Sequence, residues 1–259
     1  MTGSVSFDRA VEYYDRTRGM SESASRATTE QLSEELRGRG RALEIGVGTG
    51  LVSLPLAEAG IPMAGLDISA PMLAKLVEKA GGRPFPLVVG DATALPFSEG
   101  VFGAALLRHV LHLIPDWERA VAELARVVAR PGTVLVATGD IPKAWREVAY
   151  RFRELAGGPS IAKGLDIGRD LPRLDGAFAS LRAADARNLP AIADEVTQSL
   201  GEFLDQMAEG LHSWTWDVEE AERRRIVEEV RGWSLERFGT LNPPEAREIQ
   251  ITWRAYDLR

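Results

Sequence analysis

Short apolar runs alternate with stretches of helical periodicity from residue 41 to residue 138. Continuous apolar runs are typical of strands buried on both faces, and apolar positions three or four residues apart are typical of helices that cover a sheet. The predicted strands lie at about 41–45, 63–67, 85–89, 102–107 and 133–138, and the predicted helices lie at 51–59, after Ser69 and after Asp116, the last two residues being predicted N-caps. This order predicts a parallel sheet with helices on both faces.

The pattern is less regular on either side of this region. Residues 20–37 predict a helix that follows an aromatic N-terminal segment. Beyond residue 140 the predicted elements are helices at 141–155, 195–211 and 218–238 and a sixth strand at 178–187, with a Gly- and Pro-rich segment at 157–176. Alternating apolar and polar residues at 248–256 predict a last, antiparallel strand with one solvated face.

Four parts follow from this pattern. Residues 1–40 are predicted to form an N-terminal helical lid, and residues 41–140 a Rossmann-like core. Residues 141–240 are predicted to form a helical elaboration on the substrate side that includes the sixth strand. Residues 241–259 are predicted to complete the core sheet with the last strand.

Composition narrows the classes of function. The chain has 259 residues, 45% of them hydrophobic, which is enough for one large α/β domain with an elaboration. Its net charge of −7 disfavours binding to nucleic acids and to anionic membranes, because phosphate neutralisation needs clustered Lys and Arg. The absence of cysteine excludes disulfides, Cys-ligated metal sites and thiolate chemistry.

The first residues lack the basic and apolar regions of a signal peptide. No apolar run approaches the roughly 18–20 residues that a membrane-spanning helix needs. We therefore expect a cytoplasmic protein without a membrane or nucleic-acid partner, and nothing in the sequence demands more than a monomer or a weak homodimer.

Three glycines follow the first predicted strand at alternate positions. Glu44 ends the strand region, and Gly46, Gly48 and Gly50 form a turn that leads directly into a helix. Strand, glycine loop and helix make a nucleotide site, because the loop and the helix N-terminus aim N–H groups at the ligand. The dinucleotide pattern G-x-G-x-x-G would need a glycine at position 51, which is Leu51.

The segment Glu44-Ile45-Gly46-Val47-Gly48-Thr49-Gly50 resembles the first motif of the class I S-adenosylmethionine (SAM) dependent methyltransferases, of the type-11, small-molecule kind. Asp67 ends the second strand, and an acidic residue there accepts hydrogen bonds from ribose hydroxyls. Residues 90–97, beginning Gly90-Asp91-Ala92, resemble the family segment that meets the adenine edge. The resemblance is strong over 41–140, moderate for the lid and last strand, and weak over 141–240.

The resemblance implies a seven-stranded Rossmann-like methyltransferase sheet, mostly parallel with the last strand antiparallel, and SAM as cofactor with S-adenosylhomocysteine as product. Arg108 and His109, at the end of the fourth strand, are placed by position near the methionine part. The cofactor-binding residues predicted in this way are Tyr14, Arg18, Glu44, Ile45, Gly46, Gly48, Thr49, Gly50, Asp67, Ile68, Met72, Gly90, Asp91, Ala92, Arg108 and His109.

The N-terminal segment Tyr13–Gly19 resembles a part of many small-molecule members that folds over the cofactor. The face of Tyr14 would stabilise the sulfonium cation by roughly 0.5–2 kcal/mol, and Arg18 would pair with the methionine carboxylate. The alternative is that this helix packs on the sheet and does not contact the cofactor.

Catalytic residues remain open at this point. SAM is already an activated electrophile, so the protein must hold a nucleophile in line with the methyl group and exclude water. A base is needed only for a nucleophile that cannot lose its proton to water, and His109, His112 and His212 are the weak candidates. Trp214 and Trp216, beside His212, are either a substrate-pocket wall or ordinary core anchors.

Two other motifs are interpreted as structural. Asp140 ends the fifth strand, where some relatives place a metal ligand, but the partner residues are absent and no metal is predicted. Asn242-Pro243-Pro244-Glu245 is interpreted as a turn.

The sequence predicts a SAM-dependent methyltransferase that acts on a small molecule by in-line transfer. Three alternatives stay open: an RNA or protein methyltransferase on the same fold, a non-catalytic SAM-binding protein, and a nicotinamide dehydrogenase, which Leu51 disfavours.

Overall fold

The computed structural model describes residues 3–139, 142–158, 162–183, 186–242 and 247–259. Its strands are β1 Ala42–Ile45, β2 Met63–Asp67, β3 Leu87–Val89, β4 Phe102–Leu107, β5 Val128–Ala137, β6 Arg187–Asn188, β7 Ile192–Val196, β8 Arg247–Ile251 and β9 Trp253–Leu258. Its helices are α1 Tyr14–Arg18, α2 Glu22–Leu36, α3 Ser53–Glu58, α4 Ala70–Lys79, α5 Trp117–Val127, α6 Lys143–Leu155, α7 Ile167–Ser180, α8 Leu200–Glu209 and α9 Glu220–Phe238.

The main sheet has seven strands among the described residues, in the order β3-β2-β1-β4-β5-β9-β6. Strands β1 to β5 are parallel to one another, and β9 runs antiparallel between β5 and β6. This topology confirms the predicted fold class, a mostly parallel sheet with an antiparallel strand near its end. The reversal of strand order at β1 and β4 opens a crevice at their carboxyl ends, where ligands bind in such folds.

The two faces of the sheet follow from the alternation of side chains along each strand. Leu43 and Ile45 of β1 pack on one face with residues of α5 and α7. Ala42 of the same strand packs on the other face with α2, α3 and α4. Every residue of β1 and β2 is buried, which explains their continuous apolar character.

A third apolar cluster lies apart from the sheet and is formed by α6, α8 and α9. Trp145, Phe152, Phe203 and Ile226 are among its buried members. The region predicted as a helical elaboration thus has a core of its own, and we refer to these three helices as the cap. No helix in the described ranges is both long and apolar enough to span a bilayer.

The predicted sixth strand at 178–187 was wrong, because Phe178 belongs to α7 and only Arg187–Asn188 form β6. Residues 167–176 of the Gly- and Pro-rich segment also belong to α7. Helix α7 forms despite Pro172 and a non-helical Asp170, since Leu174 and Phe178 are fully buried in the core of the sheet. Tertiary packing here overrides the weak helix propensity of the segment.

The predictions for the last third of the chain also need correction. Residues 192–196, partly predicted as helix, form β7, and α8 starts only at Leu200 behind a capping box on Ser199. The predicted last strand is divided at Thr252: β8 pairs with β7 in a separate two-stranded sheet, and β9 joins the main sheet.

The two predicted N-caps differ in outcome. The side chain of Ser69 accepts a hydrogen bond from the Met72 N–H at 3.2 Å, as predicted. Asp116 makes no side-chain cap, although its helix starts where expected. Asp140 and Pro243 to Glu245 lie outside the described residues, so the predictions for them stay predictions.

Candidate functional site

A cavity opens at the carboxyl ends of β1, β2 and β4, at the switch point of the sheet. Its walls come from the N-terminal segment, the glycine loop, the ends of β2 and β3, and the turn after β4. The lining residues are Ser4, Val5, Phe7, Tyr14, Ile45, Gly46, Gly48, Leu66, Asp67, Ile68, Met72, Gly90, Asp91, Ala92, His109, Val110, Leu113 and Ile114.

Eleven of the sixteen predicted cofactor-binding residues line this cavity: Tyr14, Ile45, Gly46, Gly48, Asp67, Ile68, Met72, Gly90, Asp91, Ala92 and His109. The other five, Arg18, Glu44, Thr49, Gly50 and Arg108, do not line it and lie behind its wall. Their predicted contacts with a cofactor stay predictions, as do those of the lining residues.

The glycine loop needs glycine for conformation and for space. Gly46, Gly48 and Gly50 have φ angles of +65°, +53° and +82°, which L-residues with a side chain rarely adopt. A Cβ on Gly46 would overlap the side chain of Val110, and one on Gly48 would lie 3.8 Å from the Tyr14 ring. The loop backbone is thereby left open toward the cavity.

Asp67 connects β2 to the glycine loop. One carboxylate oxygen accepts the Gly48 N–H at 2.8 Å, and the other accepts the Ser69 N–H at 2.8 Å. Each oxygen keeps a second lone pair, and the side chain lines the cavity, so it is positioned to accept from hydroxyls of a ligand. Burial raises the pKa of Asp67, while the N–H groups of Ser69 and Gly48 oppose that shift.

Asp91 stands at the other end of the cavity, after β3. One of its oxygens accepts the N–H and the hydroxyl of Thr93, at 2.8 and 2.7 Å. The other oxygen accepts the hydroxyl of Ser4 at 3.4 Å. The turn is therefore rigid, and Ala92 lines the cavity beside it.

The N-terminal segment crosses the cavity as a cover. The Val5 N–H donates to the Leu113 carbonyl at 3.1 Å, which ties the segment to the turn after β4. Phe7 meets the Tyr14 ring edge-on at 5.7 Å and lies 4.9 Å from the Trp216 ring. Sequence reasoning placed only Tyr14 of this cover in the site and missed Ser4, Val5 and Phe7.

Helix α1 is tied to the glycine loop by a polar network. Asp15 accepts hydrogen bonds from the Thr49 hydroxyl and from Lys79, the latter at 2.6 Å. Lys79 also donates to the Thr49 carbonyl at 3.1 Å. Thr49, predicted to contact a cofactor, thus holds the helix that carries Tyr14 and Arg18.

Glu44 is buried behind the glycine loop, with 3% of its surface exposed. Burial raises its pKa to about 8, which the nearby Ser53 and the positive charge of Arg108 oppose. Its Oε2 has no hydrogen-bond partner among the described residues. A buried carboxylate oxygen without a partner is costly, and the raised pKa reflects the same burial.

We expect Glu44→Gln to remove a pH-dependent loss of stability in the ligand-free protein. The folded state holds a proton that the unfolded chain releases near pH 4.5, so wild-type stability falls as pH rises from 4.5 to about 8. The slope is at most about 1.4 kcal/mol per pH unit. Urea unfolding at several pH values measures this change in the free energy of unfolding, and Glu34→Gln, at an exposed position, is the control. Equal pH profiles of the wild type and Glu44→Gln would contradict a raised pKa at Glu44.

The three histidines all lie near Arg18. His109 lines the cavity in a left-handed conformation with φ of +57°. Desolvation, followed by the charges of Arg108, Arg18 and His112, lowers the pKa of His109 well below 6.5. Desolvation and Arg18 lower the pKa of His112 to about 4 and that of His212 well below 6.5. Such histidines are neutral and weakly basic at neutral pH, which makes them poor general bases.

Trp214 and Trp216 have different surroundings. Trp216 contacts Phe7 of the cover, and its indole N–H donates to the Gly210 carbonyl at 2.7 Å. Trp214 packs against the apolar cluster of α6, α8 and α9, and its ring lies 5.3 Å from the His212 ring. The connection 211–217 therefore joins the cap to the cover of the cavity.

Comparison with known proteins agrees with this geometry. Residues 43–136 match the model of a family described as a methyltransferase domain. This match covers the glycine loop, Asp67 and Asp91, and together with the sheet topology it indicates a methyltransferase domain over these residues.

Among curated relatives, the chain is 39% identical over 128 residues to a phosphatidylethanolamine N-methyltransferase of Cereibacter sphaeroides, covering 48% of this chain and 61% of that protein. It is 28% identical over 240 residues to a demethylmenaquinone methyltransferase of Mycolicibacterium vanbaalenii, covering 91% of this chain and 87% of that protein. The chain thus spans less than two thirds of the first relative and most of the second.

Two solved structures share the fold. The YcgJ protein of Bacillus subtilis has a TM-score of 0.62 at 16% identity, over 90% of this chain and 99% of that one. A phosphoethanolamine N-methyltransferase 2 of Haemonchus contortus, in complex with phosphomonomethylethanolamine and S-adenosylhomocysteine, has a TM-score of 0.57 at 15% identity, over 97% of this chain and 57% of that one.

Proposed function

We propose that the protein transfers the methyl group of SAM to a small-molecule acceptor. The observation that carries the proposal is the cavity in which Gly46 and Gly48, Asp67 and Asp91 converge at the switch point of the sheet. The glycine loop leaves its backbone open toward a ligand in the cavity. The carboxylate of Asp67 is suited to ribose hydroxyls, and that of Asp91, at the other end of the cavity, is suited to an adenine amino group.

SAM supplies a methyl group on a positively charged sulfur, so the residues of this chain need to orient the acceptor and exclude water. The N-terminal cover and the ring of Tyr14 enclose the cavity on the solvent side. Transfer forms a bond between the acceptor atom and the methyl carbon and breaks the sulfur–carbon bond, whose electron pair stays on sulfur. A proton of the acceptor leaves to water, because the three histidines are weak bases.

We favour a hydroquinone acceptor of the demethylmenaquinone type over an amine. Arg18 and Arg108 lie next to each other beside the cavity-lining His109, and the Arg108 guanidinium donates to the Arg18 carbonyl at 3.1 Å. Their positive charge disfavours an approaching ammonium group and favours an ionised phenolic oxygen. The relative aligned over 91% of this chain is named for demethylmenaquinone. We further propose that the protein works without metal or nucleic acid, in the cytoplasm, as a monomer or weak homodimer.

The test is methyl transfer from deuterated SAM, followed by mass spectrometry. The acceptor probes are a prenylated naphthohydroquinone, kept reduced, and phosphoethanolamine. The proposal predicts a trideuteromethylated hydroquinone and stoichiometric S-adenosylhomocysteine. Methylated phosphoethanolamine as the product would show that the acceptor is an amine and not a hydroquinone. SAM binding without methylation of either probe would favour a non-catalytic SAM-binding protein.

A further inference from the structure

The histidine at position 212 lies between the cofactor cavity and the cap. Its Nδ1 faces the Arg18 guanidinium at 3.2 Å. A guanidinium has N–H donors and no acceptor, so Nδ1 must accept this hydrogen bond and the proton of the neutral ring must sit on Nε2. Arg18 thereby selects one tautomer of His212.

The resulting Nε2–H is left without an acceptor. His212 is only 5% exposed, and its Nε2 has no hydrogen-bond partner within the described ranges. Most buried polar groups in proteins are hydrogen-bonded, so this unpaired donor calls for a partner that the protein itself does not supply. The low pKa of His212, caused by desolvation and Arg18, keeps the ring neutral and this tautomer populated.

A second unpaired donor belongs to the same aromatic group, which we call the cap cluster: Trp145, Phe203, His212 and Trp214. Trp145 stacks on Phe203 at 4.8 Å with an interplanar angle of 9°, and Phe203 meets the His212 ring at 4.9 Å. The Nε1–H of Trp145 is also buried without a partner in the described structure. The two unpaired nitrogens of this cluster are donors, and flat rings surround them.

The cap cluster is linked to the cofactor cavity by direct contacts. Arg18, which holds His212, lies in the same helix as Tyr14, and its carbonyl accepts from Arg108 beside the cavity-lining His109. Trp216, four residues after His212, contacts Phe7 of the cover. The connection 211–217 therefore contacts the cavity-lining Phe7 through Trp216 and helix α1 through His212.

We propose that His212 is a specificity-determining residue that donates its Nε2–H to an oxygen of the methyl acceptor, with Arg18 as the positioning residue that fixes the tautomer. This inference rests on the proposed function and deepens it. The donor set selects an aromatic acceptor that carries a phenolic or carbonyl oxygen. Arg18 lies close enough to add positive charge to the same oxygen, which favours its ionised form.

The activity test compares His212→Phe with His212→Gln in transfer from SAM to the prenylated naphthohydroquinone. Phenylalanine keeps a flat ring and removes the donor, whereas the glutamine amide places an N–H near the former Nε2. We expect His212→Phe to lower kcat/KM about 10- to 100-fold and His212→Gln to recover most of that loss. Calorimetric titration with SAM and thermal melts establish that both variants keep the cofactor site and are folded.

Equal losses in the two variants, or unchanged kcat/KM in His212→Phe, would overturn the proposal. A merely structural role predicts loss of melting temperature without the recovery by glutamine.

A second measurement separates this inference from the proposed function. The chain has three histidines, so nitrogen-15 NMR of labelled histidine resolves the tautomer of each. We expect His212 to be neutral at about pH 6 with its proton on Nε2, and we expect the Nε2 signal to shift when 1-naphthol joins the S-adenosylhomocysteine complex.

If the wild type binds SAM but leaves the hydroquinone unmethylated, the proposed acceptor fails and the NMR result alone decides the role of His212. A shift of the Nε2 signal with 1-naphthol then supports the donor role. A proton on Nδ1, a charged ring, or an unmoved Nε2 signal overturns it.

Discussion

Replacing Asp67 by Ala is expected to weaken SAM binding by about 100-fold or more. The carboxylate would accept ribose hydroxyls, and a hydrogen bond to a charged group contributes roughly 1.5–3 kcal/mol. The same carboxylate holds the Gly48 and Ser69 N–H groups at 2.8 Å, so its removal also loosens the glycine loop. Calorimetric titration with SAM and S-adenosylhomocysteine measures both affinities.

Two matched variants sharpen this prediction. Asp67→Asn keeps the shape and one acceptor oxygen and should lose less affinity than Asp67→Ala. Asp116→Ala removes an exposed aspartate at a helix start that makes no side-chain cap, and should bind SAM as the wild type does. Binding by Asp67→Ala within about threefold of the wild type would remove Asp67 from the site.

Replacing Gly46 by Ala is expected to damage both stability and cofactor binding. The φ of +65° costs an L-residue roughly 1–2 kcal/mol. The added Cβ also overlaps Val110, and overpacking of this kind costs roughly 1–3 kcal/mol. Because both residues line the cavity, the shift that relieves the overlap changes the cavity wall, and we expect SAM affinity to fall at least tenfold.

Gly60→Ala is the matched control for this variant. Gly60 has a φ of +85°, and nothing lies within 4 Å of the position its Cβ would occupy. It should therefore show the conformational cost alone, with unchanged SAM binding. Denaturant unfolding and calorimetry on the three proteins measure the difference, and equal losses in Gly46→Ala and Gly60→Ala would show that Val110 does not restrict the loop.

The central sheet and the glycine loop were predictable because their signals are local. Each strand of the core is a short apolar run. The turn at Gly46 to Gly50 has glycines at the positions where φ is positive, so the sequence itself indicates the turn. Asp67 and Asp91 were found because they follow strands at the one edge where a ligand binds. The burial of these segments on both faces left little room for another interpretation.

The rest depended on contacts between distant parts of the chain. Residues 192–196 form a strand because they pair with β8, more than fifty residues later in the chain. The local pattern of apolar and polar residues does not predict that pairing. Phe178 is helical because the core on one face of the sheet buries it. Ser4, Val5 and Phe7 enter the site through a backbone bond to Leu113, which a local pattern does not show.

The histidines show the same limit. The sequence offered them as bases on residue type alone, but their function depends on what surrounds them. Arg18 meets His212 across 194 positions of the chain, and burial together with that contact keeps the ring neutral and weakly basic. Arg18 was itself predicted as a partner of the methionine carboxylate, a role that stays a prediction.

The most direct test of the central claim is calorimetric titration of the wild-type protein with SAM, S-adenosylhomocysteine and NADH in parallel. The geometry of the glycine loop, Asp67 and Asp91 predicts micromolar binding of the first two ligands and much weaker binding of NADH. NADH binding tighter than SAM, or no binding of either SAM-type ligand, would contradict the assignment of this cavity to SAM.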